Sequence, residues 1–343
     1  MANYIDISSW NKQIHVHTTG TRQKYILISP DDEKYYFKTS LKKGTKDWKY
    51  EFWSEVIASK VGIWLGFNVL EYEVASFDDL IGCISKSIIN EDQEEHHDGF
   101  RYIIEKFPEF SSNFKKTHSY QKIIGTLKHI DLYHFKKDVI EMIIFDSMIG
   151  NTDRHSENWA LITVKSDEIK YLTEMLKSID KLNLFVKLYF DIFLFIKLRL
   201  TNKSLKRLIH KKRYIFSPIY DSGSSLGREL NEEKLNILMR DNKGFKSYTD
   251  RCYPDIKWET DAGINKLTDF ELIKKIKLEE YEIADSVIQR IKKKYSKHKL
   301  IDIVNNIDRN IPEKFNNYKI PEIRKQFIIK CIDTKINNLF EIK

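Results

Sequence analysis

FDSMIGNTDRHSENW, residues 145–159, places Asp153 and Asn158 five positions apart on a polar segment that follows an apolar run. The run predicts a helix over Phe135–Ile149, because Val139, Ile140, Ile143, Ile144 and Met148 recur at helical spacing. Gly150 is placed to end that helix and release the chain into Asn151-Thr152-Asp153. Ala160–Val164 then reads as a short strand. A carboxylate and an amide at this separation suit phosphoryl transfer: one sits beside an attacking hydroxyl, the other reaches a metal on the phosphates. The same residues also fit a plain polar loop with an Asx-type turn at Asn151 or Asp153. The rest of a nucleotide site must therefore be found in the right order.

On the C-terminal side, Ile215-Phe-Ser-Pro-Ile-Tyr-Asp-Ser-Gly-Ser-Ser-Leu-Gly227 reads as a short apolar strand that delivers Asp221 into a Gly/Ser loop. A second metal-binding carboxylate is usually presented this way. On the N-terminal side, residues 3–17 and 24–39 read as strands, with a turn at Pro30–Glu33. Between them lies His17–Lys24, where Gly20 among hydroxyl residues can let backbone N–H groups approach phosphate oxygens, or can make an ordinary hairpin turn. Lys38 stands in the second strand among Tyr36, Phe37 and Thr39. It is a solvent-facing strand residue or a lysine that holds nucleotide phosphates. A helix from Asp47 to Gly62 follows, with Gly62 as its terminal glycine. Glu51 and Glu55 lie one turn apart on it, and either can pair with Lys38. Phe67–Ser76 and Leu80–Ile89 read as two more strands. Asn90–Asp98 reads as an acidic loop whose His96-His97 lacks a metal-ligand pattern. Residues 228–343 read as mostly helical, with turns near Asp241–Gly244, Pro254 and Pro312.

The 343 residues suffice for one two-lobed domain or two ordinary ones, and 41% hydrophobic content supports a packed core. Only 12 Gly and 6 Pro punctuate the chain, which favours long elements over a many-turn β fold. Cys83, Cys252 and Cys331 are far apart and odd in number, which fits a reducing, cytoplasmic setting; secretion as an effector stays open. The start, MANYIDISSW, does not read as a secretory signal. Residues 165–213 hold thirteen Lys/Arg against five Asp/Glu, an excess equal to the whole chain's net +8. Their apolar centre is interrupted by Lys187, Asp191 and Lys197, which argues against a membrane span. It reads as a helical hairpin, or as a basic arm for an acidic partner.

With these pieces in order, the chain resembles the HipA-like protein kinases, and among them the short CtkA-like members. The resemblance rests on TTGTRQK (18–24), YYFKTS (35–40), YEFWSEVIASKVGI (50–63), and GNTDRHSENW (150–159) with SPIYDSGSSLG (217–227). It implies an α+β, bilobal kinase-like fold, with a small β-rich N-lobe over residues 1–90 and a large, mainly helical C-lobe over 91–343 that carries the basic insert. It implies ATP and Mg²⁺. By the resemblance, Asp153 is the catalytic base, assisted by His155. Asn158 and Asp221 are metal ligands, and Lys38 binds the ATP phosphates with Glu51 as its partner. Gly20 and Lys24 belong to a phosphate loop, and Arg154 is structural. The chain departs from full-length HipA-type toxins in having only 19 residues before Gly20, and in the long separation of Asn158 from Asp221.

The implied activity is that of a serine/threonine protein kinase, a toxin or effector that autophosphorylates. Its partners would be a protein substrate and a separate antitoxin or inhibitory protein. Two other readings stand beside it. One is a phosphoinositide-type lipid kinase, whose catalytic loops use a related D-R-H-x-x-N pattern. The other is a non-catalytic, nucleic-acid-binding protein on a kinase fold, served by the basic insert.

Overall fold

The computed structural model describes residues 1–13, 24–44, 46–110, 116–164 and 213–342. The Gly20 loop and residues 165–212 of the basic insert lie outside them. Two compact units divide the chain: Met1–Ile88 with Gly99–Trp159 and Pro218–Lys343, and Ile89–Asp98 with Ala160–Ser217.

The first unit begins with strands β1 (Tyr4–Asp6), β2 (Asn11–Lys12), β3 (Lys24–Ile28) and β4 (Lys34–Thr39). A small ribbon, β5 (Lys42–Lys43) with β6 (Lys46–Asp47), leads into helix α1 (Glu51–Leu65), and then come β7 (Glu73–Phe77) and β8 (Leu80–Lys86). Six of these strands form one sheet in the order β1-β7-β8-β4-β3-β2. The expected strand over residues 3–17 is broken: among its described residues, 3–13, Tyr4–Asp6 and Asn11–Lys12 form strands. Aromatic and β-branched residues make β3 and β4 pleat well, and every second side chain enters the core. Ile7, Leu27, Phe37, Ala75 and Ile84 are fully or almost fully buried there, with Tyr25, Tyr35 and Phe77 packed around them. Burying one such aliphatic or aromatic side chain contributes about 1.5–3 kcal/mol. With Phe37 facing in, Lys38 faces the other side of β4, opposite Lys24 on β3 and Cys83 on β8.

Helix α1 does not stop at Gly62. It continues to Leu65, and Gly66 closes it at φ +82 with N–H bonds back to the carbonyls of Gly62 and Ile63. Gly62 is instead a packing position, where a Cβ would meet Val69 Cγ1 at 2.7 Å and the Phe145 ring at 3.0 Å.

The remainder of this unit is mainly helical: α2 (Gly99–Lys106), α3 (Tyr120–His129), α4 (Lys136–Ile149), α5 (Glu232–Arg240), α6 (Asn242–Asp250), α7 (Asp269–Glu279), α8 (Tyr281–Lys294), α9 (Lys297–Asn305) and α10 (Glu322–Phe340). The small ribbon β12 (Trp258–Thr260) and β13 (Gly263–Asn265) lies among them. Helix α4 packs against α7, α8 and α10. From Met142 to Ile149 every residue is buried, so its apolar pattern surrounds the helix instead of forming one stripe. One of those buried residues is a carboxylate, Asp146. As expected, Gly150 ends α4, in the left-handed region at φ +67.

The second unit is described through one antiparallel sheet, order β11-β10-β9, of β9 (Glu94–Asp98), β10 (Ala160–Val164) and β11 (Arg213–Phe216). Strand β10 was expected; β9 replaces the C-terminal half of the expected acidic loop over Asn90–Asp98. Its register sets Asp98 against Ala160 and His96 against Ile162. Ladder bonds to β10 override the low strand propensity of Glu94-Glu-His-His-Asp98. Among the described residues no cluster of three His, Cys, Asp or Glu is arranged to hold a metal.

Candidate active site

Every residue of the site described here lies in the first unit. Gly150 turns the chain out of α4, and Asn151 ties the turn to the helix it has left. Its N–H donates to the Asp146 carbonyl at 2.9 Å, its Nδ2 donates to Asp146 Oδ1 at 2.9 Å, and its Oδ1 accepts the Asp153 N–H at 3.3 Å. Asn158 closes the loop from the far side, donating from Nδ2 to the Asp153 carbonyl at 2.7 Å. Two asparagines thus hold the backbone of Asp153 from both directions. The Asp153 carboxylate itself accepts the Ser224 hydroxyl at 3.2 Å.

Arg154, read from the sequence as structural, is the fully buried fastening of the whole loop. Its Nε and Nη2 donate to the two Asp146 carboxylate oxygens at 2.8 Å each. Its Nη1 donates to the Asn158 carbonyl at 2.7 Å and to the Tyr220 carbonyl. One guanidinium therefore joins α4, the catalytic-type loop and the residue before Asp221. A planar, always-charged fork suits this task where an ammonium would not.

Asp221 has φ +55, an unusual conformation for a residue with a side chain, though aspartate tolerates it better than most. Its Oδ1 lies 3.3 Å from Lys38 Nζ. Lys38 also lies 3.5 Å from Glu55 Oε1 and 3.4 Å from the Tyr72 hydroxyl. Burial by itself pushes the Lys38 ammonium down, but the charge of Asp221, with Tyr72 and Glu55, outweighs it and raises it well above the usual lysine range. Lys38 is a cation at neutral pH.

The structure corrects one assignment. Lys38 pairs with Glu55, not with Glu51. Both carboxylates are almost fully buried on α1, but they point to different partners. Glu51 Oε2 accepts the Leu41 N–H at 2.9 Å, and its Oε1 takes the guanidinium of Arg228, whose plane stands over the Trp48 ring at 4.2 Å. Glu55 Oε2 accepts the Ser222 N–H at 2.8 Å. Between them Ser54 donates to the Ser225 carbonyl at 3.0 Å. Positions 51, 54 and 55 share one face of α1, so this face runs along residues 222–228 and holds them at three points. The two glutamates divide the work: one fixes the far end of the loop, the other fixes its start and Lys38.

His155 folds back on its own loop. Its Nδ1 lies 3.3 Å from the Glu157 N–H and 3.7 Å from the Glu157 carboxylate, and among the described residues no bond links it to Asp153 or Asp221. Beneath the loop, His118 is fully buried and held neutral, its pKa pushed down to about 3 by burial and, to a smaller extent, by the neighbouring Lys257 and His155 side chains. Lys24 lies across β3–β4 from Lys38, and Gly20 is outside the described residues. Sequence reasoning did not find Tyr72, Ser224 or the Asp146–Arg154 pair. Asp146 did carry a signal: an acid inside an otherwise apolar helix is almost never buried without a partner.

No family model matches the chain, and no curated protein matches it. Among solved structures, the Helicobacter pylori proinflammatory kinase CtkA superposes with a TM-score of 0.69 over 99% of this chain and 96% of its own, at 16% identity. HipA from the Shewanella oneidensis HipA–HipB–operator DNA complex matches with a TM-score of 0.44 over 97% of this chain and 66% of its own, at 11% identity. The resemblance to the short CtkA-like kinases read from the sequence extends to the fold: the chain has the α+β, kinase-like fold of CtkA.

Proposed function

We propose that this chain is an ATP- and Mg²⁺-dependent serine/threonine protein kinase of HipA-like type. The observation that carries the proposal is the meeting of Lys38, Glu55 and Asp221, three residues far apart in sequence, beside a loop that holds Asp153 and Asn158. Lys38 would bind the ATP phosphates, and Glu55 would orient it. The carboxylate of Asp221 and the side-chain oxygen of Asn158 are hard oxygen donors of the kind Mg²⁺ prefers. Bound there, the metal would neutralise charge on the phosphates. A phosphate loop containing Gly20 and ending at Lys24 would join the sheet beside Lys38. The acceptor hydroxyl gives its proton to the Asp153 carboxylate as its oxygen bonds to the γ-phosphorus, and the bond to the β-γ bridging oxygen breaks to release ADP. His155 would act only through the shape of the loop.

A protein substrate, self-phosphorylation, a toxin or effector role and a separate inhibitory partner belong to the same proposal. So do the lobe division near residue 90 and a reducing, cytoplasmic setting, which the three buried free cysteines support. Among the described residues no helix is long and apolar enough to cross a membrane. The test is incubation with labelled ATP and Mg²⁺, alone, with myelin basic protein, and with phosphoinositide vesicles. Label on serine or threonine of protein is expected. Label on lipid alone would overturn the proposal in favour of a lipid kinase, and no label would overturn it altogether.

The split between the two glutamates gives a separate expectation. Glu55→Ala should lower kcat/KM by about 100-fold, since a misplaced phosphate contact costs that order. Glu51→Ala removes a buried carboxylate that holds the Leu41 N–H and the Arg228 guanidinium, and should instead lower stability by about 3 kcal/mol. Kinetics and denaturant unfolding on both variants check this; the reverse pattern would restore Glu51 as the partner of Lys38.

A further inference from the structure

A cavity of about 580 Å³ lies in the first unit along the Ser224–Glu229 segment, and none of Lys38, Glu55, Asp221 and Asp153 lines it. Its walls include Thr152, the residue before Asp153, and Ser224, whose hydroxyl donates to the Asp153 carboxylate. The cavity therefore adjoins the Asp153 loop through Thr152 and Ser224, while the cluster assigned to the nucleotide does not line it. The volume suits a few side chains of an extended peptide.

Four charged residues line the cavity, and three are engaged. Lys335 is buried against Asp269 at 2.6 Å. Arg228 is taken by Glu51. Glu229 accepts the Tyr248 hydroxyl at 2.9 Å. The fourth, Arg251 at the end of α6, is exposed, and its guanidinium has no hydrogen bond or ion pair among the described residues. Arg154, Arg228, Arg290 and Arg324 are each held by a carboxylate. An open five-donor fork on a cavity beside the Asp153 loop is matched to a carboxylate.

We infer that this cavity is the acceptor-peptide site, and that Arg251 selects peptides carrying an acidic side chain close to the hydroxyl that is phosphorylated. The inference rests on the kinase reading, so it is tested by binding as well as by transfer. The probes are short peptides with one central serine flanked by Glu, Ala or Lys, and matching fluorescent peptides with the serine replaced by alanine. Binding by anisotropy and transfer from labelled ATP are measured for the wild type, Arg251→Ala and Arg251→Glu. Because Arg251 is exposed and unpaired among the described residues, both variants should keep the wild-type thermal midpoint.

The wild type should favour the Glu peptide over the Ala peptide by about 10-fold or more, the scale of one charge-assisted hydrogen bond. Arg251→Ala should lose that preference, and Arg251→Glu should turn it towards the Lys peptide. An acidic preference unchanged in both variants, or no peptide binding by the wild type, overturns the inference. Binding that depends on Arg251 without phosphate transfer would support the acidic-peptide site and remove the kinase reading. Transfer whose preference ignores Arg251 would do the opposite.

Discussion

Asp153→Ala is expected to lower phosphotransfer by about 10²–10⁴-fold, the usual contribution of a positioned general base. The thermal midpoint should hardly move. Among the described residues the carboxylate accepts only the Ser224 hydroxyl, whereas the loop is held through the backbone of Asp153 and by Asn151, Asn158 and Arg154, all of which remain. Binding of Mg·ATP should also persist, because Asp153 lies apart from the contacts of Lys38. Asp221→Ala makes the useful contrast. It removes a charge that lies 3.3 Å from Lys38, so it should abolish transfer and weaken Mg·ATP binding together. Calorimetric binding of Mg·ATP and steady-state kinetics on the two variants separate the roles. An Asp153→Ala protein that retains a third of wild-type turnover would show that the base lies elsewhere.

Arg154→Ala should have the largest effect on stability, about 3–5 kcal/mol, because it leaves the Asp146 carboxylate buried without its cation. The carbonyls of Asn158 and Tyr220 lose their donor as well. Removing both charges should cost much less than removing one, so Asp146→Leu with Arg154→Met should recover a large part of the loss. Activity should not return with stability, since the tie between the Asp153 loop and the approach to Asp221 is gone. Urea unfolding of the wild type and the two variants decides the matter. A single variant that loses under 1 kcal/mol would show that the pair does not hold the loop.

The main features of the fold were legible because they depend on local pattern. The α4 run ending at Gly150, the β3–β4 pair with its turn, and the helical C-terminal part follow from periodicity and punctuation. Residues 94–98 misled, because strand formation there depends on a partner strand more than sixty positions away. Gly62 misled for a related reason: a glycine needed for close packing against Val69 and Phe145 looks the same in sequence as one that ends a helix. In the site, Asp153, Asn158 and Asp221 could be picked out by spacing and by the small residues around them. Glu51 and Glu55 could not be told apart, since both lie on the face of α1 that meets the 222–228 loop. Only the tertiary path of that loop sets which of them reaches Lys38.

The end of the β10–β11 ladder bears on how such a chain can change over generations. Val164 and Arg213 are register partners, so residues 165–212 leave and re-enter at two positions already paired. Closing a longer loop between fixed ends is cheap, about 0.6 kcal/mol for each doubling of length. Insertions and deletions there leave the ladder register untouched, and with it the chain that proceeds from β11 to Asp221. This is a place where length and charge can drift while the chemistry upstream and downstream is inherited unchanged.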